Sequence, residues 1–590
     1  MIFLEEKRPQ FKVGTTPGYY AVARTAELAS TLRKIGFGLT KGVDVIESIL
    51  DIPHEISYSE GKEVRELVEK MGIELLIHGH LEVPVTSGGL EYYRLSQDTM
   101  ERSAKSAIFC GATYVLFHAS NERWPETWTA AEIPHYWFMV DELGRHIREK
   151  LQKEKMLREW FVWKYWRTYA GPILLPEEDK QIEGEALAKT RELEVKLHAG
   201  EITPEKFSME RSNFYEKKIK EALLKHLENG TKWLHEDAGN PTDIYRIIAT
   251  YMLIKKDPIL LELVNVYEKE LEKEGLLPLP SIPSDIPAVE NKEKWIEENI
   301  DRWVESLITK SEEPGKKVIG DFYHSLVAGK YLEGHISRLL DAIKTFADKE
   351  IPTLQAPPEE KEKLKRYAKE LKITFETPFM GGAYAGMMTI WHPKQIYAVV
   401  KTIRRTLNTD RIFMTIDFEH IAVEGADPYT EIEKFAKIAP DAGKYILSLH
   451  VTKPTPLHHH IEVEIGDVDV YKLLWHLRTA GLGKYHTVYF IFERGGEQEP
   501  FKRSITALKI MAEFLEKDIP PEKLIGMPEF FGVSTGEIAA EERQKVAIHE
   551  HALDPLKGLL TVPEEEFTFL SKAAIEKGVP PEKWKKEELK

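Results

Sequence analysis

The sequence predicts an α/β protein: a (β/α)8 TIM barrel with a large all-helical insertion after strand 4 and a helical C-terminal extension. Three observations predict it. Short apolar runs alternate with amphipathic helical patterns at both ends of the chain, four units on each side, and eight such units are what a closed βα barrel requires. Between the two sets, residues 121–349 lack that alternation and read almost wholly as helix. Six consecutive apolar runs finish on His, Asp or Glu, at the strand ends where barrels of this kind carry their active sites.

The elements follow in order. FKVGTT (11–16) reads as strand 1, and TAELASTLRKIG as a helix closed by Gly36. GVDVIESI is strand 2 and GKEVRELVEKMG its helix; IELLIH is strand 3, followed by a helix near 94–110; ATYVLFH is strand 4. KITFE, IFMTID, YILSLH and TVYFIFE are strands 5 to 8, followed in turn by PKQIYAVVKTIRRTL, PYTEIEKFAKIA, VDVYKLLWHLRTAG and SITALKIMAEFLEK. The implied boundaries are 1–120 for the first half-barrel, 121–349 for the insertion, 350–518 for the second half-barrel and 519–590 for the tail.

The insertion contains EWFVWKYWRTYAG (159–171), whose Trp160, Phe161, Trp163, Tyr165, Trp166 and Tyr169 suit the core of a helical lobe, with Trp124, Trp128, Tyr136, Trp137 and Phe138 upstream. The same rings could stack on bases or sugars or form a contact in a homo-oligomer. His324 and His335 share a helix face and read as structural or as part of a lid. Because the insertion leaves after strand 4 and returns at strand 5, it is expected to roof the site. AIHEHALDP (547–555) lacks the spacing of a zincin motif and reads as an ordinary helix of the tail.

Composition narrows the chemistry. A net charge of −16 is a poor start for broad nucleic-acid binding, which feeds on cations facing phosphates. The one cysteine, Cys110, excludes thiolate-rich metal sites and fits a reduced, cytoplasmic setting. No apolar run is long enough to span a bilayer, and the N-terminus does not read as a signal peptide. The abundance of Lys and Glu is a bias shared with heat-adapted proteins.

Strand 3 ends at His78, with His80 just beyond; strand 4 at His118; strand 5 at Glu376; strand 6 at Asp417, followed by His420; strand 7 at His450; strand 8 at Glu493. Burying that many ionisable groups on one rim costs several kcal/mol each unless a cation compensates. Nitrogen and oxygen ligands alone suit a divalent metal, Zn2+ or Mn2+, in one to three ions. After strand 7 comes a run, His458, His459, His460, Glu462 and Glu464, from which alternation selects His460 and Glu462 as further ligands.

The ordered set His78, His118, Glu376, Asp417-x-x-His420, His450, Glu493 resembles the xylose-isomerase-like barrel superfamily, and within it endonuclease IV most closely. LFHAS, FETP and DFEH stand where that family has a Phe-His strand end, a bridging Glu and Asp-x-x-His; His460-Val-Glu462 stands where it has Asp-x-His. The resemblance covers the barrel only. It implies a di- or trinuclear phosphoester hydrolase in which metal-activated hydroxide attacks phosphorus. His78, His118 and Glu376 would hold one ion, and Glu376, Asp417, His450 and Glu493 a second; His420, His460 and Glu462 would hold a third.

The alternative within the superfamily is a sugar or sugar-phosphate isomerase or epimerase, with one ion and with Glu376 and Glu493 as the acid/base pair. The partner is then a small sugar rather than a phosphorylated substrate or nucleic acid. A third alternative is a barrel that has become a non-enzymatic scaffold. Glu376, Glu493 and His420 are the expected catalytic groups. His80, Lys453 and Arg494, beside the strand ends, are the expected substrate-binding groups.

Overall fold

The computed structural model describes residues 8–18, 30–50, 55–80, 83–120, 137–283, 292–379, 388–493 and 500–532. Eight strands close a barrel in chain order, each parallel to its neighbours. They are β1 (Phe11–Thr16), β2 (Val45–Ile49), β3 (Glu74–His78), β4 (Tyr114–His118), β5 (Lys372–Glu376), β6 (Ile412–Asp417), β7 (Ile446–His450) and β8 (Val488–Glu493). All eight expected strands are present, because runs buried on every side read as continuous apolar stretches in a parallel sheet.

The helices between strands carry their own signals. Ser57 and Glu60 form a capping box at the start of Tyr58–Met71, and Gly72 ends that helix with a left-handed φ of 65°. One boundary differs from expectation. The helix after β1 does not stop at Gly36 but continues through Gly38 to Leu39. Gly38 packs against Ile46, whose side chain a Cβ there would meet at 2.8 Å, and the left-handed turn falls instead at Gly42.

Register decides what the strand ends can do. His118 lies beside Glu376, Asp417 beside His450, Ile49 beside His78 and Thr16 beside Glu493. The ligand-type residues are therefore level at one rim. Beneath them the barrel holds an apolar cluster that includes Val45, Leu76, Leu116, Phe413 and Ile491. A polar seam runs through it: Thr374 to Thr415 at 2.8 Å, and Thr415 to Ser448 at 2.6 Å.

The chain divides into two compact units, one comprising 1–84, 95–122 and 336–590, the other 85–94 and 123–335. The second is helical. In its helix Lys155–Ile173, Trp160, Phe161, Tyr165 and Tyr169 are buried, and Phe161 and Tyr169 lie 5.3 Å apart between ring centroids. Trp233 completes the cluster, 5.8 Å from Tyr169. Trp163 and Trp166 remain partly exposed, with Arg167 over the Trp166 ring. His335 is buried under a stacked Tyr93, and His324 packs edge-on to Tyr323.

Past Glu516 the expected helical tail begins as two short 3-10 turns, Pro521–Gly526 and Pro528–Phe531, because prolines open both and deny a longer helix its amide donors. Residues 547–555 lie outside the described residues, as do Trp124, Trp128 and Tyr136. Among the described residues, no helix is long and apolar enough to cross a membrane.

Candidate metal centre

The centre is built on Glu376 at the end of β5. Its Oε2 lies 3.3 Å from His78 Nε2 and 3.4 Å from His118 Nε2; its Oε1 lies 2.6 Å from His450 Nδ1 and 3.8 Å from His420 Nδ1. His450 Nδ1 also faces Glu493 Oε1 at 3.4 Å and Asp417 Oδ2 at 3.8 Å. One carboxylate thus joins two groups, His78–His118–Glu376 and Glu376–Asp417–His450, each compact enough to hold a metal ion. Two further compact groups are His420–His458–Glu493 and Glu419–His458–His460.

The local backbone sets these orientations. Asp417 caps the helix Phe418–Val423, and its Oδ1 accepts from the amides of Glu419 and His420 at 2.6 and 3.1 Å. That leaves Oδ2 for the centre. His78 Nδ1 lies 3.0 Å from the Gly79 carbonyl and His420 Nδ1 2.7 Å from the Thr377 carbonyl. Those bonds fix the tautomer and free Nε2.

A metal fits this set. Glu376 Oε1, Asp417 Oδ2 and His450 Nδ1 are buried without a hydrogen-bond partner, and so are His458 Nε2 and His460 Nδ1. Buried polar atoms are rarely left so, and an ion is the natural acceptor of their lone pairs. Protonation behaviour agrees. Burial opposes ionisation of Glu376, yet His450, His118 and His78 hold it well below the usual carboxylate range. Burial and the neighbouring Glu376 push Asp417 up to about 6. Burial, with Asp417 and Glu376, raises Glu493 well above its usual value despite His450. His450 is buried too, but Glu376, Glu47 and Glu493 raise it well above the ordinary histidine. The upward shifts of His450 and Glu493 favour protons where a cation would otherwise sit. Burial keeps His420 and His460 neutral, down to about 3, and His458 down to about 4.

Exposure divides the site into floor and mouth. The side chains of His78, Glu376, Asp417, His420 and His450 are at most 4% exposed, whereas those of His118, Glu493 and His460 are 14–16% exposed.

The loop after β7 departs from expectation. His460 reaches the centre, with Nδ1 3.4 Å from Glu493 Oε2, but Glu462 belongs to none of the compact groups and faces Arg503 at 3.8 Å. The extended alternation that paired 460 with 462 is broken by left-handed backbone at His458 (φ 50°) and His460 (φ 47°), which brings His458 to the site instead. Lys453 is half-exposed and sits 3.7 Å from Asp467, at none of the metal groups. His80 is half-buried, two residues past the end of β3. Arg494 lies outside the described residues.

Two residues escaped the sequence. Glu419 is fully buried and accepts from the hydroxyls of Thr452 and Thr455 and from the amides of His459 and His460, at 2.8–3.3 Å. Four donors occupy its lone pairs, so Glu419 fastens the loop that carries the histidines. Glu47, in the middle of β2, lies 3.2 Å from His450 Nε2. Reading only the last residue of each strand passes over it; the signal was a lone carboxylate inside an apolar strand.

No protein-family model and no curated protein sequence matches the chain. Among solved structures, a D-tagatose 3-epimerase-like protein aligns at 10% identity over 86% of this chain and 100% of its own, with a TM-score of 0.38. D-psicose 3-epimerase from Clostridium cellulolyticum H10, solved with D-tagatose, aligns at 9% identity over 88% and 99%, with a TM-score of 0.31. Likeness at that level carries no functional argument. The chain resembles the xylose-isomerase-like barrels in its eight-stranded closure and in the order of the His, Asp and Glu residues at its strand ends.

Proposed function

We propose that the protein is a metal-dependent sugar or sugar-phosphate isomerase or epimerase. The observation that carries this is the pairing of Glu376 and Glu493: both carboxylates face His450 Nδ1, at 2.6 and 3.4 Å. Glu376, Asp417, His450 and Glu493 would hold the ion, which when bound polarises a carbonyl and an adjacent hydroxyl. Glu493, in the mouth, takes a proton from the carbon beside the carbonyl. Glu376, in the floor, is the other half of the acid/base pair, its Oε2 being engaged by His78 and His118. The neutral imidazoles of His118 and His460 bind sugar hydroxyls. An acidic chain favours such a small substrate over a duplex.

Phosphoester hydrolysis is the second reading, favoured by one observation: the same Glu376 joins the Asp417–His450 group to a His78–His118 group, as a bridging ligand of two ions would. The test is incubation of the metal-loaded protein with a ketose panel in D2O, beside a simple phosphodiester. Isomerisation incorporates deuterium at the carbon next to the carbonyl, and Glu493→Gln abolishes it. Phosphodiester cleavage with no deuterium exchange would replace the first reading by the second.

A further inference from the structure

Glu47 stands outside the strand-end set, yet its side chain is completely buried beneath it. Its Oε1 and Oε2 lie 3.2 and 3.4 Å from His450 Nε2. From below, the Tyr114 hydroxyl donates to Oε2. Barrel interiors are ordinarily filled by branched apolar side chains in layers, so a carboxylate in the middle of β2 has a cost that something must offset. Tyr114 is itself fully buried, and its neighbour Ser448 belongs to the Thr374–Thr415–Ser448 seam. A polar column therefore rises through an apolar barrel and ends on one imidazole.

That imidazole has two nitrogens with different surroundings. Nε2 meets only Glu47 among the carboxylates described around it; Nδ1 meets Glu376, Glu493 and Asp417. A carboxylate that accepts from Nε2–H makes Nδ1 the lone-pair nitrogen and fixes the ring plane. Nδ1 is also the nitrogen left without a hydrogen-bond partner.

We propose that Glu47 is the positioning residue of the metal centre: it holds His450 in the Nε2–H tautomer, with Nδ1 aimed at the ion shared with Glu376, Asp417 and Glu493, while Tyr114 holds Glu47. The inference rests on the metal centre of the proposed function and not on which reaction that centre performs. Glu47 touches neither substrate nor ion, and acts through His450.

The test uses the full chain and the metal alone. Affinity for Zn2+ and for Mn2+ is measured by competition with a chelator for the parent, Glu47→Gln, Glu47→Leu and Tyr114→Phe, and the visible spectrum of each Co2+-loaded form is recorded at equal occupancy. Loss of a partner of this kind weakens metal binding by about 10–100-fold. Glu47→Leu should show that loss and an altered Co2+ spectrum. Glu47→Gln, whose amide oxygen still accepts from Nε2–H, should recover part of both. Tyr114→Phe should fall between Gln and parent, and it covers the case in which Leu prevents folding. Parent-like affinity and spectrum in both Gln and Tyr114→Phe would overturn the role of Glu47. A parent that binds no divalent ion would overturn the metal centre itself.

Discussion

Asp417, Glu376, Glu493 and His450 show how little room a buried cluster leaves for independent behaviour. Burial raises each carboxylate, the imidazole lowers each, and the outcome divides them: Glu376 is held well below the usual carboxylate range, while Glu493 and His450 are raised well above their ordinary values. A metal ion must compete with protons at those two groups. Binding should therefore release protons, read as the dependence of the calorimetric heat on buffer ionisation enthalpy. Below pH 6 affinity should fall more steeply as Asp417, with its pKa of about 6, takes up a proton. His420 and His460, at about 3, should not contribute until far lower pH. The shared position of Glu376 gives a second expectation. Glu376→Gln should remove more metal than His118→Ala, because Glu376 belongs to two of the groups and His118 to one. Elemental analysis checks it, and equal losses would leave Glu376 serving a single ion.

At the scale of the element, the barrel depends on close approaches and one strained loop. Gly443 precedes β7, and a Cβ there would meet the Gly481 backbone at 2.1 Å. Neither side is a flexible side chain, so Gly443→Ala should destabilise the protein by about 1–3 kcal/mol, measured as a shift in the urea midpoint. In the loop after β7, left-handed backbone at two histidines is held by the four hydrogen bonds to Glu419. Strain of that kind persists only where the surroundings over-determine it, and here they turn both His458 and His460 toward the centre.

For the whole molecule, every group that could hold metal among the described residues belongs to the barrel unit, and none to the unit containing 123–335. Metal should therefore stabilise one unit. Calorimetry of the intact chain should show a transition that rises with metal and falls with chelator, beside one that moves little. At a metal concentration a hundredfold above Kd the gain is about 2.7 kcal/mol. A single transition, shifting as a whole, would mean that the two units unfold together.

The sequence by itself determined the eight strands, their order and the residue on which each of the last six ends. It could do so because a buried parallel strand reads as a near-continuous apolar run, so a His or Glu at its end stands out against it. It did not determine the side-chain partners. Glu47 and Glu419 look like ordinary charged residues until closure of the barrel sets Glu47 under His450 and the loop after β7 folds onto Glu419. Nor could period-2 alternation foresee that left-handed backbone at 458 and 460 would bring in His458 and leave Glu462 beside Arg503. Periodicity records which face of an element is buried. Which atoms meet across elements follows from register and loop path, and those exist only once the chain has closed.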